Sequence, residues 1–588
     1  MDRLEKFSQL PRFTSISGNI FKHRGAWFSL HCPNVEYGAA ELRLITHHGG
    51  KMQARDREVM MRVYPTFEGR KVPFAIGQEA SCLTLHSLHG CVRFTASGAN
   101  LILAEGDAGM GLRFEKQMEQ HETVKRRARG AWEAACRCSV SLVFMGLEGS
   151  GFDFGDNTWD WEGLSSGKVA GVTVPNADGT FTLAIEEFTH AGKVRDAYPS
   201  FEEARAGMQA DWEAFRDKFT DYPGDEDRAH RVTRYTQWSY LLEPRGSLAH
   251  TMLLMLTSDL CSQWQLCQNA VALEDHMDIA MELLLAPLDR VSPEGQLSDV
   301  YDDVFCIRQM YKPPVHGWAV KELMSRHDLL AECPREKVEQ LYTMMARWGD
   351  WFTENRDDDG DGIPAYEHGD ETGFDDCTLF KEHNNVAAPD LSAYLVLLFE
   401  ALGDLARLLE KGEETAEAWY EKSRTLLDKM LKYMWDGRYF CGLLPYTGEK
   451  LRSASCIHYI PLILGDRLGK EVLDALTDSL MADEGLVTAH GVASESIFSD
   501  DYRPAGMCMA RGYILPPAMI FLCGGLLNSS RRSEGIALTR RYCDSLAKGN
   551  FPFLMHPLRG SQGGFFGGTW PCAAFTVLDR ALKAAQAE

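Results

Sequence analysis

No apolar run in this sequence reaches the roughly 18 residues that a membrane-spanning helix needs, so no transmembrane segment is predicted. Positive charge is also scarce: 61 Lys and Arg residues stand against 84 Asp and Glu residues, a formal net charge of −23. That balance excludes a general binder of nucleic acids or anionic membranes, because their phosphates would be repelled. The opening residues MDRLEKFSQLPRF lack the apolar stretch of a signal peptide, so we expect a cytoplasmic protein.

Cysteines at metal-binding spacing are absent as well. The sixteen cysteines are scattered, no C-x-x-C motif occurs, and the closest pair is Cys136 and Cys138. This distribution excludes a zinc ribbon and a small disulfide scaffold. Several cysteines, such as Cys523 in MIFLCGGLL, lie in apolar segments and are typical of buried side chains in a reducing compartment. No organic cofactor is predicted.

The hydrophobic period of this 588-residue chain changes once. Up to about residue 200, short apolar runs such as CVRFTASG (91–98) and TFTLAIEEF (180–188) alternate with Gly, Asn and Asp turns, which is typical of an antiparallel β-sandwich. Beyond that point the period is that of helices. Because one core rarely extends over so long a chain, we predict a β-sandwich domain (1–200), a linker helix (201–225) and an all-helical domain (226–588).

About eleven helices are predicted in the helical domain. The clearest spans 389–411, where Pro389 suits a first helical turn and Gly412 follows the last one. Another is predicted at 248–260. Paired helices over this length favour an α-toroid. An α-solenoid is the alternative, although no fixed repeat of about 34–47 residues occurs.

Between two predicted helices lies the acidic segment NRDDDGDGIPAYEHGDETGFDDCT, residues 355–378, which also contains Tyr366 and Phe374. Cleavage of a glycosidic bond passes through an oxocarbenium-like transition state that needs carboxylates, and a flat sugar face packs on aromatic rings. Long loops between helices often carry function. The segment is therefore predicted to belong to a sugar-cleaving site, with a solvated acidic loop as the alternative.

Several segments, in a fixed order, carry a family resemblance. They are YKPPVHGWAV (311–320), RDDDGDGIPAY (356–366), ETGFD (371–375), HGVASES (490–496), ARGYILPP (510–517) and GGTWPCAAFTVLD (567–579). ETGFD is similar to the E-S-G-W-D element of the (α/α)6-barrel glycoside hydrolases. The chain resembles families 63 and 37 of these enzymes, including mannosylglycerate-hydrolase-like and amylo-glucosidase-like proteins. The resemblance implies an N-terminal antiparallel β-sandwich followed by an (α/α)6 barrel (a six-hairpin glycosidase fold) that acts in carbohydrate metabolism.

The resemblance also implies roles for individual residues. In the family, the Asp that closes E-S-G-W-D is the general acid, and the matching residue is Asp375. Desolvation and neighbouring acids are expected to keep its carboxyl protonated; a helix N-cap is the alternative role. Residues expected to bind substrate are Trp264, Asp370, Glu371, Phe374, Asp376, Arg511 and Trp570. For the tryptophans core packing is the alternative, and for the arginine an ion pair with a nearby acid.

Three positions depart from the family pattern. Cys267 stands where the family's W-x-W-D segment has its Asp, and Ala510 replaces the Trp of W-R-G. In FLMHPLRG, Phe553 stands where relatives place a catalytic Glu. Since the usual base is missing, Glu495 is predicted to replace it, with a sugar-hydroxyl acceptor or a surface acid as its alternative roles. Asp370 is the second candidate for the base.

A calcium loop is the second feature of the acidic segment. Asp357, Asp359 and Asp361, followed by Gly362, have D-x-D-x-D-G spacing, in which alternate oxygen ligands can surround one hard cation. His368 occupies the acidic twelfth position of an EF-hand, so that motif is excluded. Some family 63 relatives hold calcium in this loop. A structural Ca²⁺ and a water-filled turn are both open.

The leading functional hypothesis is an inverting glycoside hydrolase that acts on a short α-linked saccharide or small glycoside. A phosphorylase or transferase is the second, because phosphate can attack without a protein base. Arg511, His556 and Arg559 would then contact phosphate. A sugar-binding protein without turnover is the third hypothesis and a sugar epimerase the fourth. A saccharide, rather than a nucleic acid or a membrane, is the predicted partner.

Overall fold

The computed structural model describes residues 20–31, 42–49, 59–136, 140–156, 159–189, 192–256, 259–299, 301–506, 508–561 and 567–587. The chain divides into two compact units. The first comprises residues 1–247, 256–260 and 302–305, and the second comprises 248–255, 261–301 and 306–588. Residues 1–19, the N-terminal stretch in which no signal peptide is expected, lie outside the described residues.

The first unit is built mainly of antiparallel strands. Those that the structure describes are β1 (Ile20–Phe21), β2 (Phe28–His31), β3 (Leu42–Thr46), β4 (Val59–Phe67), β5 (Arg70–Lys71), β6 (Ala75–Gln78), β7 (Leu83–His86), β8 (Cys91–Ser97), β9 (Leu101–Gly106), β10 (Met110–Gln117), β11 (Thr123–Arg126), β12 (Trp132–Cys136), β13 (Val140–Leu147), β14 (Gly151–Asp153), β15 (Lys168–Val174) and β16 (Phe181–Phe188). One sheet has the order β1-β2-β3-β4-β10-β15-β14, with β5 paired to β4. The other has the order β11-β12-β13-β16-β9-β8-β7-β6.

The two sheets pack face to face through aromatic side chains. In β10, Met110, Leu112 and Phe114 are buried while the intervening residues are less buried, as expected for a strand with one face on a core. Phe114 meets Phe144 of the other sheet edge to face, with ring centroids 5.1 Å apart. Phe152 stacks on Phe144 at 4.6 Å. The sandwich core therefore forms between the sheets, as its alternating pattern predicts.

Two helices of this unit follow the strands, α1 (Phe201–Arg216) and α2 (Arg228–Tyr240). The start of α1 is fixed by a capping box. The Ser200 hydroxyl accepts from Glu203 N at 3.3 Å, and the Glu203 carboxylate accepts from Ser200 N at 2.9 Å.

The second unit is helical. Its helices are α3 (Gln263–Ala272), α4 (Met277–Leu285), α5 (His316–Met324), α6 (Leu329–Glu332), α7 (Arg335–Asn355), α8 (Pro389–Leu408), α9 (Glu413–Lys429), α10 (Lys470–Met481), α11 (Pro516–Leu527), α12 (Arg532–Lys548) and α13 (Thr569–Ala587). A stretch of 3-10 turns runs over Cys456–Leu468. The short strands of this unit are β18 (Met252–Leu253), β19 (Gly442–Leu444) and β20 (Glu449–Leu451), of which the last two form a hairpin; β17 (Leu241–Leu242) belongs to the first unit.

Inner and outer helices alternate in this unit. Helix α8 buries nearly all of its surface, whereas its partner α9 buries only a narrow stripe. Gly403 allows their close approach, because a Cβ there would collide with the ring of Tyr420. Helix α11, PPAMIFLCGGLL, is apolar all round and almost wholly buried, which is typical of a central helix. The predicted fold class, a β-sandwich followed by an (α/α)6 barrel, is confirmed.

One helix prediction is wrong. Over 248–260, the described residues 248–256 and 259–260 contain the strand Met252–Leu253 and no helix. No helix of the described chain combines the length and apolar character needed to cross a bilayer.

Candidate active site

The acidic segment forms the loop between α7 and α8, and a glycine fixes its path. After the 3-10 turn Gly369–Thr372, Gly373 adopts a φ of 74°, a left-handed conformation that favours glycine. A Cβ at this position would also overlap the indole ring of Trp264. Trp264 is 1% exposed and therefore supports the loop from behind. The turn places Asp375 two residues later.

Asp375 shares its surroundings with a buried lysine. Lys312 Nζ donates to Asp375 Oδ1 at 3.1 Å and to the main-chain carbonyl of Asp370. It also lies 3.4 Å from Asp370 Oδ2 and 3.8 Å from Asp299 Oδ2. The Lys312 side chain is 9% exposed, whereas that of Asp375 is 38% exposed. One ammonium thus faces three carboxyl groups, of which Asp375 is the most accessible.

The pKa of Asp375 reflects opposing influences. Burial raises it most, Lys312 lowers it, and the charge and hydrogen bond of Asp370 raise it again, to about 6. Burial lowers the pKa of Lys312, but Asp299, Asp375 and Asp370 raise it by more, so the amine stays charged. A carboxyl with a pKa near 6 holds a proton at mildly acidic pH and can act as a general acid.

Glu371 and Phe374 lie inside the loop. Glu371 is almost fully buried; it accepts from Glu367 N at 2.9 Å and lies 3.7 Å from Arg356 Nη2. Burial raises the pKa of Glu371. Phe374 is completely buried. Both side chains therefore hold the loop in shape and present no surface to a sugar in this conformation.

Asp376 and Arg511 make contacts that fix the segment near residue 510. Asp376 Oδ1 accepts from Ala510 N at 2.7 Å, and burial raises the pKa of Asp376. Arg511 donates to Asp501 twice, to the carbonyl oxygen at 2.9 Å and to Oδ1 at 3.0 Å. Lys381 lies 2.9 Å from the same carboxylate. In this structure Arg511 is thus engaged in an ion pair.

Glu495 lies beneath the same loop. It is 0% exposed, and its two oxygens accept from Thr378 Oγ1 at 2.7 Å and from Ser499 Oγ at 2.6 Å. Burial raises its pKa. The Thr378 bond joins the Glu495 segment to the loop that carries Asp375.

Aromatic packing surrounds Phe553, the position where the family resemblance implies a catalytic Glu. Phe553 packs against Trp570 with ring centroids 5.2 Å apart, and Trp570 meets Trp264 edge to face at 5.3 Å. The Trp570 indole N–H donates to Gln268 Oε1. Phe553 and both tryptophans are buried, and so is Cys267. These rings form a wall of the core and are not free stacking platforms in this conformation.

The three carboxylates of the predicted calcium loop come together. Asp357, Asp359 and Asp361 each place an oxygen within 4.8 Å of the others. Asp359 Oδ2 also accepts from Tyr446 N at 2.6 Å, and Lys429 Nζ donates to the Asp361 carbonyl. An all-oxygen donor set of this charge fits a hard cation such as Ca²⁺. These residues could hold one structural ion.

Sequence reasoning missed Lys312 and Asp299. The only signal for Lys312 was its place in the YKPP motif, directly before two prolines. Asp299 lies in a loop with no motif. Their role depends on contacts between segments far apart in the chain.

Comparisons with known proteins give a domain match and solved structures of similar fold. Residues 307–570 match the model of the mannosylglycerate hydrolase MGH1-like glycoside hydrolase domain. The GH63 mannosylglycerate hydrolase from Thermus thermophilus in complex with Tris has a TM-score of 0.50 and 15% identity, covering 57% of this chain and 96% of that one. Its complex with Tris and D-glycerate has a TM-score of 0.48 and 16% identity, over 62% and 99%. A search of curated proteins returns no match.

The family match begins before Lys312 and ends at Trp570, so it contains the whole acidic loop. The Tris complex shows that the fold is shared. The resemblance to family 63 that the motifs indicate is confirmed. Over residues 307–570 the chain thus matches a glycoside hydrolase domain, and it shares the fold of a solved GH63 mannosylglycerate hydrolase.

Proposed function

We propose that this protein is an inverting glycosidase in which Asp375 is the general acid. The observation that supports the proposal most directly is the accessible Asp375 carboxyl, which lies 3.1 Å from Lys312 Nζ, the ammonium that is also 3.4 Å from Asp370 Oδ2. With a pKa of about 6, this carboxyl is protonated over a useful pH range. A departing glycosidic oxygen can take that proton.

Inversion needs a second carboxylate about 6.5–9.5 Å from the acid to activate water on the opposite sugar face. Asp370 and Asp375 both lie within 3.4 Å of Lys312 Nζ, so their carboxyl groups are too close together for this arrangement. We assign the base to Glu495, which Thr378 joins to the same loop. Because Thr378 and Ser499 occupy its oxygens, the attacking water must displace one of these hydroxyls.

Small glycosides are the proposed substrates. The solved relative is named a mannosylglycerate hydrolase, so mannosylglycerate is the first compound to test, beside short α-linked saccharides. The decisive experiment is a screen of nitrophenyl glycosides, disaccharides and mannosylglycerate, each with and without phosphate. Phosphate-independent release of the sugar with inverted anomeric configuration, read by proton NMR, is expected. A retained anomer would rule out inversion, and sugar binding without release would indicate a binding protein.

Phosphate-dependent release would identify a phosphorylase instead. Arg511, one of the candidate phosphate contacts, already donates to Asp501 at 2.9 and 3.0 Å. Phosphate would have to compete with that carboxylate. Hydrolysis is therefore the first choice.

Two further properties belong to the proposal. Asp357, Asp359 and Asp361 would hold a structural Ca²⁺ that stabilises the loop leading to Asp375. A cytoplasmic location is proposed because no disulfide joins any of the cysteines that the structure describes.

A further inference from the structure

Lys312 lies between three carboxyl groups of the candidate active site. Its Nζ is 3.1 Å from Asp375 Oδ1, 3.4 Å from Asp370 Oδ2 and 3.8 Å from Asp299 Oδ2. Lysine is almost never buried unless it is paired. With its side chain 9% exposed, this ammonium is a fixed part of the site and not a mobile surface charge.

Asp370 raises the pKa of Asp375, whereas Lys312 lowers it. Both carboxyl groups lie within 3.4 Å of the Lys312 ammonium and are therefore close neighbours. Negative charge on Asp370 favours the protonated form of Asp375, whereas the Lys312 cation favours the ionised form. Asp299 also affects the charge around Asp375, because its carboxylate lies 3.8 Å from Lys312 Nζ and partly neutralises that ammonium.

The same ammonium also fixes the geometry of the pair. It donates to the main-chain carbonyl of Asp370 and to the side chain of Asp375, so it holds the first residue's backbone and the second residue's carboxyl in one arrangement. Asp375 is thereby placed between a buried cation and the partly exposed carboxyl of Asp370.

We propose that Lys312 and Asp370 are positioning residues with opposing charges that set the pH range in which Asp375 can donate its proton. This inference rests on the proposed role of Asp375 as general acid. A general acid must be protonated, so activity falls on the alkaline side as the pH passes its pKa. The alkaline limb of the pH profile therefore reports the balance between the two charges.

Removal of either charge should shift the alkaline limb of the pH profile, and the two shifts should have opposite directions. Removal of the Lys312 charge takes away the group that favours the ionised form, so the alkaline limb should move to higher pH. Removal of the Asp370 charge should move it to lower pH. A charge within about 4–6 Å shifts a carboxyl pKa by about 1–3 units, so each limb should move by about one unit or more.

The test compares Lys312→Met and Asp370→Asn with the wild-type enzyme. The measurement is kcat/KM against pH for a glycoside with a poor leaving group, because an activated leaving group departs without the acid. Lys321→Met is the matched control: Lys321 is also an ion-paired lysine of this unit, 2.8 Å from Asp404 and 3.2 Å from Glu400. Its limb should stay within experimental error of the wild type.

A second measurement is independent of turnover. The infrared band of a protonated carboxyl that is absent in Asp375→Asn is followed against pH. It should persist to higher pH in Lys312→Met and vanish at lower pH in Asp370→Asn. Folded variants whose limb and band do not move, or move in the same direction, would overturn the proposal.

The kinetic and infrared measurements distinguish failure of this proposal from failure of the proposed function. If the wild type cleaves no glycoside, the function fails, and the infrared titration alone decides the role of Lys312. If Lys312→Met does not fold, Asp370→Asn decides. A band that does not move to lower pH in that variant counts against the proposal.

Discussion

The indole ring of Trp264 fills the space that a side chain on residue 373 would need, and residue 373 is glycine. Gly373 also has a φ of 74°, so both its conformation and its contact with the ring exclude a Cβ. Asp375 follows two residues later. The position of the proposed general acid thus depends on a contact between α3 and this turn.

Gly373→Ala should therefore reduce both stability and activity. A left-handed alanine costs about 1–2 kcal/mol, and the clash with Trp264 adds about 1–3 kcal/mol of overpacking. Urea unfolding measures the loss of stability. Gly448→Ala is the control, because Gly448 has a similar φ of 69° with nothing within 4 Å of a Cβ. An equal loss of unfolding free energy in both variants would show that the Trp264 contact does not contribute to stability.

Asp375→Asn should lower kcat by about 10²–10⁴-fold for a glycoside with a poor leaving group, because the amide cannot donate an acidic proton. Circular dichroism should show an unchanged fold. Asp358→Asn is the control, since Asp358 lies in the same loop but is not one of the three carboxyl groups beside Lys312. Near-normal turnover by folded Asp375→Asn would remove this residue from the proposed mechanism.

Glu495→Gln should abolish hydrolysis if Glu495 is the base. Azide should then partly restore release of an activated leaving group, with an inverted glycosyl azide as the product. The Gln side chain can still bond to Thr378 and Ser499, so Tm should fall little. A wild-type rate without phosphate in this variant would show that the buried carboxylate only supports the loop.

Calcium should raise the Tm, and a chelator should lower it. An ion that binds only the folded state stabilises it by mass action. Asp359→Asn should reduce the response because it weakens the group of three carboxylates, whereas Asp358→Asn changes charge outside that group and should preserve it. An unchanged Tm together with no metal by elemental analysis would speak against the ion.

The apolar period and the residues at helix ends predicted the regular helices of the fold. Pro389 and a regular apolar period marked the start of α8, and its observed span of Pro389–Leu408 ends three residues before the predicted residue 411. The stretch Cys456–Leu468 was missed because Pro461 lies inside it and breaks the helical pattern. The segment 248–260 looked helical by composition, but tertiary packing makes part of it a strand.

The candidate site was predicted in the same uneven way. Asp375 could be found because it lies in a recognisable motif. Lys312 could not be predicted, because its carboxyl partners come from three other positions along the chain. No sequence spacing indicates that these residues lie close together in the fold. A sequence motif also does not show whether a side chain is buried. Trp264 and Glu371 were predicted to bind sugar, and in the structure both are buried.

The contact between Phe553 and Trp570 determines what surroundings a glutamate at position 553 would meet. Glutamate at 553 would place a carboxylate in a closed aromatic wall, 2% exposed, beside an indole whose N–H already bonds to Gln268. Burial of an unpaired charge costs several kcal/mol. Phe553→Glu alone is therefore expected to destabilise the fold. A carboxylate at this position would need a second substitution that supplies a partner for its charge.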